Sequence, residues 1–311
     1  MVEAAWRPIM AFVERRRIAI IGSKGRLGAA LNRLWSPSFE ILPFSRKDLD
    51  ISQLGEVRRV LENLSCDYLV NCSGLTNVDY CEEHPEEAFL LNAMVPALMA
   101  EYCVLRGIRF IHFSTDYVFG GERAGLLTEK DPTIPINQYG WSKLEGEKKV
   151  LEAATSHVVL RVSWLFGPDK LSFIDSILTR ALTQDRVEAI TDKISCPTYA
   201  HDIAEWTQIF LQNKTTGGIY HLCNSGECSW RDYGQYGLDC ARECGMRLKA
   251  TAISSLKLDE IKIFQARRPR YSAMSTEKFA AIWGRPLRSW KDAVHAYISS
   301  CLVVRNSYPT A

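Results

Sequence analysis

The sequence predicts an α/β fold: a doubly wound parallel sheet with helices on both faces, joined to a smaller C-terminal lobe. Three observations support this. From residue 17 to about residue 167, short apolar runs without helical period alternate with segments of helical spacing, the pattern of strand-helix units that builds parallel sheets buried on both faces. The first run, Arg17-Ile-Ala-Ile-Ile-Gly22, passes directly into a glycine-rich turn and then a helix. After residue 167 the strict alternation is lost. The expected organisation is an N-terminal tail at 1–16, a Rossmann-type domain at 17–167 to which 197–223 returns, and a second lobe at 168–196 and 224–311.

The glycine turn reads Gly22-Ser-Lys-Gly25-Arg26-Leu27-Gly28, with helical spacing from 27 to 34. Glycines permit a tight turn and close backbone approach, and the helix that follows offers unpaired amides to a pyrophosphate. Gly22, Gly25, Arg26, Leu27 and Gly28 are therefore expected to contact a dinucleotide, although the spacing departs from the usual Gly-x-Gly-x-x-Gly. The second strand, 40–44, ends in Ser45-Arg46-Lys47. An acid at this strand end suits the ribose 2′-hydroxyl of NAD, whereas arginine accommodates the 2′-phosphate of NADP. NADP is expected over NAD, with Ser45 and Arg46 as phosphate partners and Asp50 and Ile51 alongside; Asp48 and Asp50 also leave open a plain solvated turn. A helix at 52–63 leads to the strand 68–72, whose end supplies Cys72, Ser73, Gly74 and Thr76 as further cofactor contacts. A long helix at 85–105 follows, and Asn92 within it receives no role.

The stretch from Ser114 to Lys143 carries the chemistry. Arg109 to Phe113 reads as a buried strand that delivers Ser114 and Thr115 at its carboxyl end, where open α/β sheets bind ligands. Asn137 is placed to cap a helix running through Val150, with Pro132 and Pro135 keeping the preceding segment extended. Tyr139 and Lys143 then share one helical face. An ammonium beside a phenol favours the phenolate, so Tyr139 is expected to give a proton to a carbonyl oxygen that Thr115 also bonds, with Lys143 lowering the tyrosine pKa. A lone Tyr-x-x-x-Lys is commonplace, and the context gives this one its meaning.

Composition excludes several classes. The 311 residues are 47% hydrophobic and 24% charged, with a net charge of +2, which makes no electrostatic case for nucleic acid or anionic membrane. No apolar run is expected to approach a membrane span of about 18 residues. The ten cysteines contain no Cys-x-x-Cys, so free thiols in a reducing cytoplasm are expected, and no metal site.

Taken together, Gly22-x-x-Gly-x-x-Gly28, Ser114-Thr-Asp-Tyr-Val-Phe119 and Tyr139-Gly-x-x-Lys-x-x-Gly-Glu147 resemble the extended short-chain dehydrogenases, and within them the dTDP-4-dehydrorhamnose reductase family. The likeness continues through Arg161-Val-Ser-Trp164-Leu-Phe-Gly167, Asp192 with Pro197-Thr198, Gly218-Ile-Tyr-His-Leu222 and Arg268-Pro269-x-x-Ser272-x-Met-x-Thr276, covering about residues 18–297. The resemblance implies Thr115, Tyr139 and Lys143 as catalytic residues, Asp116, Tyr117 and Trp164 against the deoxysugar, and Arg268 at the nucleotide diphosphate. A nucleotide-linked deoxysugar is the implied partner, for a monomer or homodimer. Two departures stand out. A Gly-Asn-Phe run common in the family reads Leu171-Ser172-Phe173, and Ala30 stands where some relatives carry a glutamate that bridges a dimer through magnesium.

The second half is expected to contain strands at 157–164, 187–191, 218–223 and 248–253, and helices at 171–184, 199–212, 229–245, 276–283 and 287–302. Two functions from different classes fit the whole: an NADPH-dependent 4-ketosugar reductase, or a non-catalytic NADP-binding regulator resembling the regulatory subunit of methionine adenosyltransferase. That regulator also keeps Tyr-Gly-x-x-Lys, whereas Thr115, Ser163-Trp164 and Arg268-Pro269 favour the reductase.

Overall fold

A computed structural model describes residues 15–212 and 217–306, with side chains described to residue 300; most of the expected N-terminal tail lies outside them. Five strands in the first half, β1 (Arg17–Ile21), β2 (Glu40–Phe44), β3 (Tyr68–Asn71), β4 (Arg109–Thr115) and β5 (Val158–Val162), are joined in the sheet by a strand from the second half. Between them lie α1 (Arg26–Trp35), α2 (Leu54–Glu62), α3 (Val78–Glu83), α4 (Pro85–Phe89), α5 (Val95–Arg106) and α6 (Gln138–Ala153). The second half supplies β6 (Leu165–Phe166), α7 (Phe173–Thr183), β7 (Val187–Ile190), β8 (Ile194–Ser195), β9 (Thr198–Tyr199), α8 (Ala200–Thr207) and α9 (Ile209–Gln212). It ends with β10 (Gly218–His221), β11 (Cys228–Ser229), α10 (Trp230–Glu243), β12 (Ile253–Leu256), α11 (Glu277–Trp283) and α12 (Trp290–Asn306).

The main sheet has six strands in the order β10-β5-β4-β3-β1-β2, and every pairing is parallel. This is the doubly wound Rossmann-type arrangement. Chain connection reverses between β1 and β3, which opens a crevice at their carboxyl ends. Residues 218–221 do return to this sheet, as β10 beside β5.

Alternation along β1 shows how the sequence builds two cores. Ile18 and Ile20 point to the layer of α1 and α8, with Trp35, Ile203 and Phe210. Ala19 and Ile21 point to the layer of α2 and α5, with Val57, Leu61 and Met99. Each fully buried aliphatic side chain contributes roughly 1.5–3 kcal/mol, so a one-residue slip of this strand would exchange both sets. The indole N–H of buried Trp35 donates to the Ala204 carbonyl at 2.9 Å, fixing α1 on α8.

Two expectations change. The helix expected at 85–105 contains a π turn at Leu90–Met94 between α4 and α5. As a composite, Pro85–Arg106 is long and apolar enough to cross a membrane by composition, with a mean hydropathy of 1.7 in its most apolar window. This segment corrects the expectation that no apolar run approaches a membrane span. It is nevertheless a core helix, its Val95, Met99 and Cys103 packed against α2 and the sheet. The strand expected at 248–253 begins only at Ile253, because the Lys249 and Ala250 amides are taken by the Ala181 carbonyl and parallel pairing with β7 starts later.

Helix α6 is joined to β5 by a buried ion pair. Arg161 Nε and Nη2 donate to the Glu147 carboxylate at 2.9 and 2.6 Å, with the two side chains 2% and 1% exposed. Removing one partner leaves an uncompensated buried charge, which costs about 3–5 kcal/mol. Glu147→Ala should therefore lose that much stability in denaturant titrations, whereas Glu147→Leu combined with Arg161→Met should lose far less. A loss under about 1 kcal/mol for the single variant would show that the pair is relieved in some other way.

Candidate functional site

The crevice at the carboxyl ends of β1, β2 and β3 is a cavity of about 490 Å³, within the usual size range of small-molecule sites. Its walls come from the glycine turn, the end of β2, the loop after β3, the end of β4 and the first turns of α6. Every expected cofactor contact lines it except Gly28: Gly22, Gly25, Arg26 and Leu27, then Ser45, Arg46, Asp50 and Ile51, then Cys72, Ser73, Gly74 and Thr76, with Tyr139 and Lys143. Gly28 acts one step behind. A Cβ there would sit 2.3 Å from the Gly22 carbonyl oxygen, so only glycine lets α1 pack on the turn, which itself has Gly22 at φ 81°.

The turn suits a pyrophosphate. Helix α1 has no side-chain cap at its N-terminus, which leaves its first amides and its dipole free for an anion. The Arg26 Nε is buried without a hydrogen-bond partner among the described residues, while its Nη2 holds the Lys170 and Leu171 carbonyls at 3.1 and 2.6 Å. The loop from the second lobe is thereby drawn over the turn, and Arg33 adds a bidentate pair to Asp169. At the end of β2, Ser45 Oγ is committed to Asp48 at 2.6 Å. Arg46 and Lys24 both line the cavity. Lys24 was not among the expected contacts, although a cation between the first two glycines is visible in the sequence. Ser114 and Lys170 also line the cavity unanticipated; the Ser114 hydroxyl is buried and unpartnered among the described residues.

Thr115 and Tyr139 meet where β4 ends. Asn137 caps α6 as expected, accepting the Gly140 N–H at 2.8 Å, and this sets Tyr139 in the first turn. Its phenol lies beside the Thr115 hydroxyl, and its ring packs edge-on to Tyr117 at 5.6 Å. Asn92, left without a role by the sequence, secures this corner from the π turn. Its side chain bonds both the N–H and the carbonyl of Leu75 and reaches Ser142 Oγ at 3.0 Å, joining the loop after β3 to the first turn of α6.

The expected electrostatics of Tyr139 need correction. Burial pushes its pKa above the ordinary phenol value, opposed by the Thr115 hydroxyl but not offset by Lys143. Lys143 turns instead to the sheet, donating to the Phe113 carbonyl at 2.6 Å and facing His112 Nε2 at 3.4 Å. Burial brings its pKa down to about 8.

Two of the residues expected at the substrate, Asp116 and Arg268, are bonded within the chain. Asp116 is buried, with one carboxylate oxygen bonded to Ser195 and Ser272 at 2.9 and 2.6 Å and the other to Thr115 at 3.2 Å. Burial raises its pKa, opposed by Lys193. Arg268 pairs with Asp79 at 2.7 Å and stacks over Phe264. Neither offers its polar atoms to the cavity, because hydroxyls and an acid from distant segments already satisfy them. Tyr117 is largely buried beneath the Lys193 ammonium, 4.8 Å from its ring centre. Trp164 holds a positive φ of 38°, and its indole N–H is buried without a partner among the described residues.

Comparison with known proteins agrees with this architecture. The RmlD substrate binding domain family matches residues 16–303. A dTDP-4-dehydrorhamnose reductase of Sinorhizobium fredii is 32% identical over 294 residues, which is 92% of this chain and 98% of that protein. The solved dTDP-4-dehydrorhamnose reductases of Clostridium acetobutylicum and Bacillus anthracis, the latter in complex with NADP, are each 27% identical with TM-scores of 0.85, covering 92% of this chain and 99% of theirs. Since sequence likeness and backbone likeness both span nearly the whole chain, the chain belongs to the dTDP-4-dehydrorhamnose reductase family of oxidoreductases.

Proposed function

We propose that this protein reduces the 4-keto group of a nucleotide-linked 6-deoxysugar, dTDP-4-dehydro-6-deoxy-L-mannose to dTDP-L-rhamnose or a close relative, with NADPH as reductant. The observation that carries the proposal is a cavity walled by the glycine turn and lined by both Tyr139 and Lys143, with the Thr115 hydroxyl beside the phenol. The α1 amides and Arg26 would hold the pyrophosphate, and Lys24 and Arg46 the 2′-phosphate. Bound there, the reduced nicotinamide supplies two electrons and a hydrogen to C4. Tyr139 gives its phenolic proton to O4, so the C=O bond becomes an alcohol and the phenol a phenolate. Thr115 donates to O4 only once its hydroxyl turns from Asp116, its partner at 3.2 Å. Lys143 lies one helical turn along α6 and supplies positive charge to the phenolate as it forms.

On the substrate side the proposal keeps Tyr117, whose ring packs on Tyr139, and Trp164, whose indole N–H lacks a partner among the described residues. It gives Asp116 and Arg268 supporting roles, since their polar atoms are held within the chain.

Tyr139→Phe should reduce turnover by roughly 10²–10⁴-fold while leaving NADPH affinity nearly intact. Near-normal turnover in a folded variant would remove the tyrosine from the mechanism. Arg46→Ala, and likewise Lys24→Ala, should raise the KM for NADPH much more than that for NADH, and equal effects on both cofactors would refute the phosphate assignment. The deciding assay follows NADPH oxidation over a panel of nucleotide-linked 4-ketosugars. A chain that binds NADPH but oxidises it with none of them is the non-catalytic regulator instead.

A further inference from the structure

His112 lies fully buried under Lys143 on β4, and no part of the proposed reaction uses it. Its two ring nitrogens have one neighbour each: Nε2 faces Lys143 Nζ at 3.4 Å, and Nδ1 faces Asn71 Nδ2 at 3.2 Å. The orientation of the Asn71 amide is set by a group that can only donate. The Ser73 backbone N–H reaches Asn71 Oδ1 at 3.0 Å, and the Ser73 hydroxyl reaches the same oxygen at 2.5 Å. Asn71 must therefore turn its NH2 toward the imidazole, and Nδ1 must accept. In the neutral ring the proton then sits on Nε2, aimed at Lys143. That N–H makes a hydrogen bond to a neutral amine and repels an ammonium.

Ser73 and Lys143 both line the cavity, so the chain Ser73, Asn71, His112, Lys143 begins and ends at its wall. We propose that it is a tautomer switch coupling the arrival of a dinucleotide to the proton on Lys143. A ligand oxygen that draws the Ser73 N–H and hydroxyl to itself releases the Asn71 amide, which can then rotate and present Oδ1 to the ring. The Nε2 proton passes to the Lys143 amine, and Nδ1 takes one proton from solvent. The imidazole stays neutral with a single N–H, now bonded to Asn71, and its bare Nε2 accepts from the new ammonium. One proton is gained overall.

The other groups around Lys143 permit this. Burial lowers its pKa to about 8, while Glu147, one turn along α6, favours the ammonium. Cys72 at the end of β3 and Cys81 on α3 also face it, with both thiol pKa values raised by burial. Tyr139 on the same helix is likewise raised. Lys143 is thus the group among these that changes charge near pH 8.

This inference rests on the reading that the cavity takes a dinucleotide. The test titrates NADP into the full-length protein at pH 8, by calorimetry in buffers of different ionisation enthalpy. The wild type should take up about half a proton per cofactor, as expected for a group half-protonated beforehand and fully protonated afterwards. In Asn71→Ala the ring is free to accept from the ammonium at the start, so the uptake should fall by about half or more. His112→Phe, which removes the opposing N–H, should lower it similarly and serves where the first variant does not fold. Uptake equal to wild type in the folded variants would overturn the switch, since the field of the cofactor phosphates alone would then account for it. Lost uptake in the variants without turnover on any ketosugar would keep the switch and sink the reductase reading; turnover with unchanged uptake would do the reverse.

Discussion

Helix α6 is fastened to the sheet through two buried polar side chains one turn apart, and the geometry of the site depends on that fastening. Lys143 bonds the Phe113 carbonyl of β4 and Glu147 the Arg161 guanidinium of β5. The pair of Glu147 and Arg161 removes two charges from water, so it holds only while both partners are in place. The helix consequently cannot slide along the strands or rotate on its axis without exposing or orphaning a charge. Tyr139 lies one turn before Lys143 and inherits that restraint. The position of its phenol beside Thr115 is fixed by groups that do not touch it.

That same burial works against the chemistry expected of the pair. A phenol removed from water is harder to ionise, and a lysine removed from water is easier to neutralise. The directions found for Tyr139 and Lys143 follow this rule, and both drive the pair toward its uncharged form. A tyrosine that keeps its proton is the right starting state for a proton donor. Positive charge matters only once the phenolate develops, so an ammonium assembled late serves as well as one present throughout. The corner formed by Asn71 and His112 supplies a physical means for that timing.

Much of the sheet was legible because its signals are local. Apolar runs of four or five residues gave the strands, and β2 spans the expected 40–44. The glycine turn pointed to the crevice because strand, glycines and helix are consecutive. The two-residue strands β6, β8, β9 and β11 carry no period and could not be read. The π turn at Leu90–Met94 inserts a fraction of a turn into a helix that is apolar on several sides, which leaves the pattern unchanged. Site residues divide in the same way. Those on the glycine turn and at strand ends were readable, whereas the partners of Asp116 lie 79 and 156 positions away, a separation that no local pattern encodes.

Those long-range partners say what holds the second lobe in place. Asp116 follows Thr115, yet its carboxylate joins Ser195 on β8 to Ser272, and Ser163 just after β5 extends the chain through Ser195 at 2.6 Å. Lys193, fully buried, bonds the Pro269 carbonyl and places its ammonium over the Tyr117 ring; burial lowers its pKa to about 8 while Asp116 opposes that fall. A half-satisfied network of this kind would cost more than an apolar core of the same volume. Its hydroxyls therefore constrain where β8 and the segment around Ser272 sit relative to Thr115. An acid that sequence likeness assigned to the sugar is thus held within the chain: it registers the lobe against the end of β4 and accepts the Thr115 hydroxyl at 3.2 Å.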